Sequence, residues 1–308
     1  MLIGVLAILA PGQGSQKPGM LAPWLAVPGL AELADRFGEV AGLDLARLGS
    51  TADADEIKDT AVTQPLVVAA ALLAATTLDI PPAAVTAGHS VGELAAAAIA
   101  GVVDSTTAVR TAAVRGAAMG AACALAPTSM SAVLGGDTEA VLAVLAELDL
   151  VGANMNGGGQ IVAAGAMDAL TKLAENPPAG ARILPLPVAG AFHTRYMATA
   201  EEPLTASLAE IQPADPTRPL LTNSDGRVVT SGRGYLDLLI TQITRPVRWD
   251  ACMATLSRLG VTGVLELPPA GALAGLVKRD LKGVATLTLR IPDDLVKASS
   301  FLTEHSEG

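Results

Sequence analysis

Aromatic side chains are almost missing from this 308-residue chain: they make up 2% of it, although 51% of its residues are hydrophobic. A core without large rings has to be filled by Ala, Val and Leu, small side chains that let helices pack closely on a buried sheet. Positive charge is also scarce. Twenty Lys and Arg against thirty Asp and Glu leave a formal charge of −10, which argues against general nucleic-acid binding. The one basic cluster, Lys278, Arg279 and Lys282, is expected to be a solvated helix end. With three His and two Cys, and no pairing or metal spacing between Cys123 and Cys252, neither a disulfide framework nor a His/Cys metal cluster is expected. Both thiols are expected to be buried and free. Long apolar runs are lacking too. Leu66 to Leu78 is too short to span a bilayer and already contains Thr76 and Thr77, so it suits a core helix. Met1 to Ala10 is apolar without the basic flank of a secretory signal and suits a buried first strand. The expectation is a cytoplasmic protein with no metal, no membrane and no nucleic-acid partner, and nothing demands more than a monomer.

What is present is an alternation of strands and helices. Leu2 to Ala10 is a predicted strand running into Gly12-Gln13-Gly14-Ser15-Gln16. Apolar residues at Leu30, Leu33, Ala34, Phe37 and Val40 mark a helix face. Gln64 to Leu78, Val91 to Ala100 and Ser105 to Ala122 are predicted helices, the last capped by Asp104 or Ser105. Ala84 to Ala87 is a short predicted strand. Between about 126 and 190 the pattern becomes strand, helix, strand, strand, helix, strand, the βαββαβ order of a ferredoxin-like module. Afterwards the alternation resumes, with predicted helices over Thr194–Ile211, Leu236–Ile243, Trp249–Leu259 and Ala272–Leu281. The expected organisation is a large α/β domain, 1–125 and 191–308, with a ferredoxin-like subdomain, 126–190, inserted into it.

Gly88-His89-Ser90-Val91-Gly92 sits between a predicted strand and a predicted helix, where a nucleophilic serine is held in a sharp turn. Glycines flank the serine because the turn leaves no room for Cβ atoms, and the helix after it points free N–H groups at the reacting centre. A serine nucleophile needs a base. His89 is adjacent to Ser90 and should project away from its Oγ; His305 lies among polar residues near the end and is expected to be solvated. His193, after a predicted strand, is left as the base, since strand ends are where open α/β sheets place their sites. A hydrolase triad would add an acid between Ser90 and His193. Asp104, Asp137, Asp149 and Asp168 fall there, but one caps a helix and three lie inside the inserted module. A Ser–His dyad oriented by a main-chain carbonyl or an amide fits better.

Gly12-Gln13-Gly14-Ser15-Gln16, Gly88-His89-Ser90-Val91-Gly92-Glu93, Arg115-Gly116, Gly190-Ala191-Phe192-His193, and Gln242 before Arg245-Pro246-Val247-Arg248-Trp249 occur in an order that, over essentially the whole chain, resembles the acyltransferase family. That family includes the malonyl-CoA:acyl carrier protein transacylases of type II fatty-acid synthesis and the acyltransferase domains of polyketide synthases. The resemblance implies transfer of a malonyl group from malonyl-CoA, through an ester on Ser90, to the phosphopantetheine thiol of an acyl carrier protein. It implies an α/β-hydrolase-like fold for the large domain, and an oxyanion hole from the backbone N–H groups of Gln13 and Val91. Arg115 would grip the malonyl carboxylate with two parallel hydrogen bonds. Gln242 would be an active-site amide. Asn154 or Asn156 would line the pocket, with Asn154 preferred, and Asn223 would orient His193 through its main chain. No cofactor is implied beyond the CoA of the substrate and the arm of the carrier. Ala191-Phe192-His193 matches the pattern that accompanies malonyl rather than methylmalonyl units. One departure is Glu266-Leu267-Pro268-Pro269-Ala270-Gly271, where the family has Gly-Pro-Gly; proline there forbids positive φ and puts the loop shape in doubt. Two other readings share parts of the pattern. A serine thioesterase or esterase needs an acid partner and leaves Arg115 without a task. A silent carrier-binding subunit has no use for both Ser90 and His193.

Overall fold

A computed structural model describes residues 4–306. In chain order its elements are β1 (Leu6–Ala10), α1 (Ala22–Leu25), α2 (Leu30–Ala41), α3 (Leu45–Ser50), α4 (Thr60–Ala75), β2 (Val85–Gly88), α5 (Gly92–Ile99) and α6 (Ser105–Cys123). Then come β3 (Thr128–Gly135), α7 (Thr138–Glu147), β4 (Val151–Gly157), β5 (Gln160–Ala166), α8 (Met167–Glu175) and β6 (Ala181–Pro185). The chain finishes with α9 (Glu201–Ala209), β7 (Leu220–Leu221), β8 (Val228–Val229), α10 (Gly232–Gln242), α11 (Trp249–Arg258), β9 (Gly263–Glu266), α12 (Ala272–Asp280), β10 (Ala285–Thr288) and α13 (Leu295–Glu304). The expected start of the first strand at Leu2 lies outside the described residues.

The larger sheet has the order β10-β9-β1-β2-β7-β8, parallel except for the β7–β8 pair. Every residue of β1, β2 and β9 is buried, as a parallel sheet covered on both faces requires. The strand period of two divides β1 between two cores. Leu6, Ile8 and Ala10 join α2, α4, α5 and α6 on one face, while Ala7 and Leu9 meet Trp249, Met253 and Leu256 of α11 and Leu273 of α12 on the other. Small residues allow the helices of the first face to close up: a Cβ at Gly116 of α6 would come within 2.7 Å of the carbonyl of Thr60 on α4. The apolar run from Leu66 is therefore a core helix, and no helix among the described residues is long and apolar enough to cross a membrane.

The smaller sheet is antiparallel, in the order β4-β5-β3-β6, with α7 and α8 packed on it through Val141, Leu145, Leu170 and Leu173. This is the ferredoxin-like arrangement within an α/β-hydrolase-like fold. Entry and exit of this segment are pinched together. The N–H of Ala191 donates to Thr128 Oγ1 at 3.1 Å, and a Cβ at Gly190 would lie 2.5 Å from Cys123 Sγ. A second tie joins the sheet's edge to the large unit: the N–H of Met155 donates to the carbonyl of Val247, and the N–H of Val247 to the carbonyl of Ala153, both at 2.9 Å.

Several element boundaries differ from expectation for local reasons. The helix expected from Gln64 begins at Thr60, because Asp59 Oδ1 caps the N–H of Ala61 at 2.8 Å and leaves Pro65 in the second turn. The single helix expected over Thr194–Ile211 is a 3-10 turn, Arg195–Ala200, followed by α9, whose first turn holds Pro203. In the doubtful loop the positive φ, 139°, falls on Gly271, and the Glu266 carboxylate caps α12 by accepting from the N–H groups of Leu273 and Ala274 at 3.0 and 2.8 Å.

Phe37 is one of three phenylalanines and is 0% exposed among alanines and leucines too small to refill its volume. Phe37→Ala should cost about 3–5 kcal/mol. Urea denaturation should show this as a lower midpoint at an unchanged slope.

Candidate active site

The C-terminal ends of β1, β2, β7 and β9 lie at one edge of the parallel sheet, and the polar residues of the chain converge there. Ser90 follows β2 directly and has φ 54°, a left-handed conformation rare outside glycine. The two glycines of the turn are forced by contact: a Cβ at Gly88 would sit 2.0 Å from the carbonyl carbon of Gly92, and one at Gly92 would sit 2.3 Å from the carbonyl oxygen of Ala10. Asn223, after β7, braces the turn. Its Oδ1 accepts the N–H of Ser90 at 2.7 Å, and its Nδ2 donates to the carbonyl of Gly88 at 2.8 Å.

His193 lies 2.7 Å through Nε2 from Ser90 Oγ, and its Nδ1 lies 2.8 Å from the carbonyl oxygen of Gln242. The carbonyl can only accept, so Nδ1 carries the hydrogen and Nε2 is free to take the serine proton. His193 has φ 60° and is 3% exposed. It does not end a strand of the parallel sheet, as the sequence suggested. The strand before it, β6, belongs to the smaller sheet, and His193 marks the return of the chain to the large unit. The main-chain group that orients it is that of Gln242 rather than that of Asn223. Burial, with the nearby Arg115 charge, pushes the imidazole down to about 3, so it is neutral at any working pH.

Arg115, on α6, is 2% exposed. Its Nη1 donates to Gln64 Oε1 at 2.6 Å; its Nη2 donates to Gln242 Oε1 at 2.9 Å and lies 3.4 Å from Ser90 Oγ. Its Nε has no partner among the described residues. Burial, opposed by the Glu93 charge, lowers the guanidinium to about 10, which leaves it charged near neutrality. Glu93, 1% exposed, accepts the N–H of Asn223 at 2.7 Å on Oε1 and Gln242 Nε2 on Oε2. Burial pushes its carboxyl up to about 8, opposed by the Asn223 N–H and the Arg115 charge. Sequence reasoning assigned no role to Glu93 or Gln64. Glu93, three residues after the serine in a helix's first turn, was visible in the motif; Gln64 sits in an apolar helix with no local signal.

These groups face a cavity of about 960 Å³ between the two units. Ser90, Arg115, His193 and Gln13 line it from the large unit, and Asn154 and Asn156 from the smaller sheet. Val91 follows the serine and Gln13 lines the same cavity, and neither backbone N–H has an acceptor among the described residues. Of the two asparagines, Asn156 makes the polar contact, with its Oδ1 2.9 Å from His89 Nε2. His89 packs edge-on to Trp249 and away from the serine hydroxyl. His305 is not solvated: its Nδ1 is 3.0 Å from Thr262 Oγ1 and its ring packs on Phe301, at the opposite end of β9 from the site. Arg279 stands at the rim, donating to Gln160 Oε1 at 3.2 Å. Cys252 is buried and Cys123 half-buried, both free.

A family profile described as acyl transferase domain matches residues 8–293. A malonyl CoA-acyl carrier protein transacylase from Mycobacterium tuberculosis is 55% identical over 300 residues, covering 94% of this chain and 98% of the relative. A crystal structure of MCAT from Mycobacterium tuberculosis superposes with a TM-score of 0.92 at 53% identity, covering 98% of this chain and 100% of that one. A structure of a type II PKS acyl-carrier protein in complex with its malonyl-transacylase also superposes, with a TM-score of 0.90 at 30% identity over 96% and 99% of the two chains.

The depressed basicity of His193 sets a pH expectation. Its folded value lies below the unfolded 6.5, so protonation favours the unfolded chain and stability falls as pH drops from 6.5 toward 3. Acylation of Ser90 should be level between pH 5 and 7. A stopped-flow profile with an acid limb at about 6.5 would contradict the neutral, buried imidazole.

Proposed function

The chain belongs to the acyl transferase domain family, and from that membership we propose the reaction it performs and the residues that carry it. It is a malonyl-CoA:acyl carrier protein transacylase, an enzyme that moves a malonyl group from malonyl-CoA to an acyl carrier protein for fatty-acid biosynthesis. The observation that best carries this reading is the juxtaposition of a serine–histidine pair at 2.7 Å with a buried guanidinium 3.4 Å from the same serine oxygen. An esterase has no use for the guanidinium; a substrate acyl group ending in a carboxylate does.

The reaction runs in two halves. His193 Nε2 takes the proton of Ser90 Oγ as the oxygen attacks the thioester carbonyl of malonyl-CoA. The N–H groups of Gln13, in the loop after β1, and of Val91, at the positive end of α5, hold the oxyanion. The carbon–sulfur bond breaks, and CoA leaves with the proton from His193. The phosphopantetheine thiol of the carrier then gives its proton to His193 and attacks the malonyl ester. Ser90 leaves with that proton, and the malonyl group departs on the carrier. Arg115 holds the malonyl carboxylate throughout, with the Nη hydrogens that its two glutamine partners leave free. Gln242 fixes His193 through its carbonyl and Arg115 through its amide, Asn223 braces the elbow, and Asn154 lines the acyl pocket. Phe192, 7% exposed beside the histidine, narrows that pocket against a branched acyl unit. No separate cofactor enters, because CoA is part of the substrate and the arm belongs to the carrier. Two unpaired cysteines suit the reducing cytoplasm.

With radiolabelled malonyl-CoA and a holo acyl carrier protein, the wild type should transfer label and Ser90→Ala should not. Label transfer that survives the substitution would overturn the assignment of the nucleophile. Arg115→Ala should slow malonyl transfer roughly 10- to 100-fold, the worth of a charge-assisted hydrogen bond or two. Acetyl transfer should change far less, and equal losses would remove Arg115 from the carboxylate.

A further inference from the structure

The carboxylate grip assigned to Arg115 depends on where its planar guanidinium is aimed, and the aim is set by two glutamine oxygens. Gln64 Oε1 takes Nη1 and Gln242 Oε1 takes Nη2. A glutamine amide has two unlike ends, and only one orientation of Gln242 offers Arg115 an acceptor. Its Nε2 faces Glu93 Oε2, with further contacts to the carbonyl of Ser90 at 3.2 Å and Asn223 Oδ1 at 3.3 Å. All three of those neighbours are oxygens. The reversed amide would set an oxygen among oxygens and an NH2 against a guanidinium.

We infer that Glu93 is a positioning residue which fixes the polarity of the Gln242 amide and thereby aims Arg115 at the carboxylate of the substrate. This inference rests on the malonyl reading given above. Glu93 touches neither Ser90 Oγ nor the cavity; it is sealed at 1% exposure between the elbow helix and α10. It is also held from both ends. Oε1 is fixed by the N–H of Asn223, so Oε2 has no freedom to turn from Gln242. The Tyr235 hydroxyl donates to the Glu93 backbone carbonyl at 3.2 Å and pins the helix turn that carries it. The ionised carboxylate can only accept, so Oε2 fixes the direction of the amide; a proton on Oε2 would make it a donor and weaken that preference.

The isosteric substitution Glu93→Gln breaks this chain of polarity without opening a cavity. The Asn223 N–H claims the new amide's oxygen, so its NH2 must face Gln242. Two NH2 groups repel, the Gln242 amide turns over, and its own NH2 then confronts Arg115 Nη2. Arg115 loses one of its two acceptors and its aim, while the Ser90–His193 pair keeps its geometry, since His193 is held by the Gln242 main chain.

The test is acylation of Ser90 by malonyl-CoA and by acetyl-CoA, followed by intact mass, for full-length wild type, Arg115→Ala, Glu93→Gln, Gln242→Ala and the Glu93→Gln/Gln242→Ala double variant. Thermal melts accompany each. Glu93→Gln is expected to lower the malonyl rate about tenfold or more relative to the acetyl rate, the effect of losing one charge-assisted hydrogen bond. It should have no further effect on that preference once Gln242 is alanine. An equal loss for both acyl groups, or additive losses in the double variant, would overturn the inference. If Glu93→Gln does not fold, Glu93→Asp, one methylene too short to reach Gln242, should show the same loss of preference. If Arg115→Ala alters the preference and neither Glu93 variant does, the inference fails and the malonyl reading stands. If Arg115→Ala leaves the preference unchanged, both fall together.

Discussion

Asn223 ties the end of one strand to the turn that follows its neighbour, and the reactive centre depends on that tie. Ser90 has a backbone conformation that L-residues avoid, costing on the order of 1–3 kcal/mol, and such strain persists only where the surroundings over-determine it. The asparagine side chain supplies the determination by accepting from the serine N–H and donating to the carbonyl of Gly88. Its own carbonyl accepts the N–H of Arg248 at 2.7 Å, so the segment leading into α11 is fixed by the same residue. The packing of the sheet, the elbow and the start of α11 are therefore one connected problem, solved around a buried amide.

Charge in the site is arranged around a histidine kept neutral. No carboxylate backs the ring. A main-chain carbonyl fixes the tautomer, and burial with the Arg115 charge disfavours the protonated form in the resting state. Glu93, which burial holds toward its neutral form, and the charged Arg115 do not touch; Gln242 stands between them and relays the contact. A direct ion pair would have occupied the guanidinium donors that a carboxylate substrate needs. An interposed amide takes only one Nη hydrogen and leaves others for the substrate, while its oxygen still compensates the buried guanidinium.

The sequence made the large-scale plan legible because the plan is written in periodicity. Apolar β1, the short strand β2 before the serine turn, the Ala-rich helices α4, α5 and α6, and the change of rhythm near 126 together specify a covered parallel sheet and an inserted antiparallel one. The serine was legible because its turn imposes glycines at fixed spacing, and the histidine because only three were available to choose from. What stayed hidden was of two kinds. Short or edge elements such as α3 and β10, the latter only half-buried, leave too weak a pattern to detect. The polar relay of Gln64, Glu93 and Gln242 joins α4, α5 and α10, which are far apart in sequence, and a glutamine on an apolar helix looks the same whether or not an arginine meets it. His305 was misjudged for the related reason that polar sequence neighbours say nothing about a ring turned inward against β9.

The pinched neck where Ala191 meets Thr128 and Gly190 presses on Cys123 has a consequence for how such an enzyme can change. The smaller sheet leaves and re-enters the large unit at nearly one point, so its size can vary without altering the span between α6, which bears Arg115, and His193. Its inner face, through Met130 and Val162, lines the cavity, and Val188 joins them from the connection back to the large unit. Part of the cavity wall thus hangs on a length of chain joined to the large unit at one neck, while Arg115 and Phe192, which meet the acyl group, stay on the unit that makes and breaks the bonds.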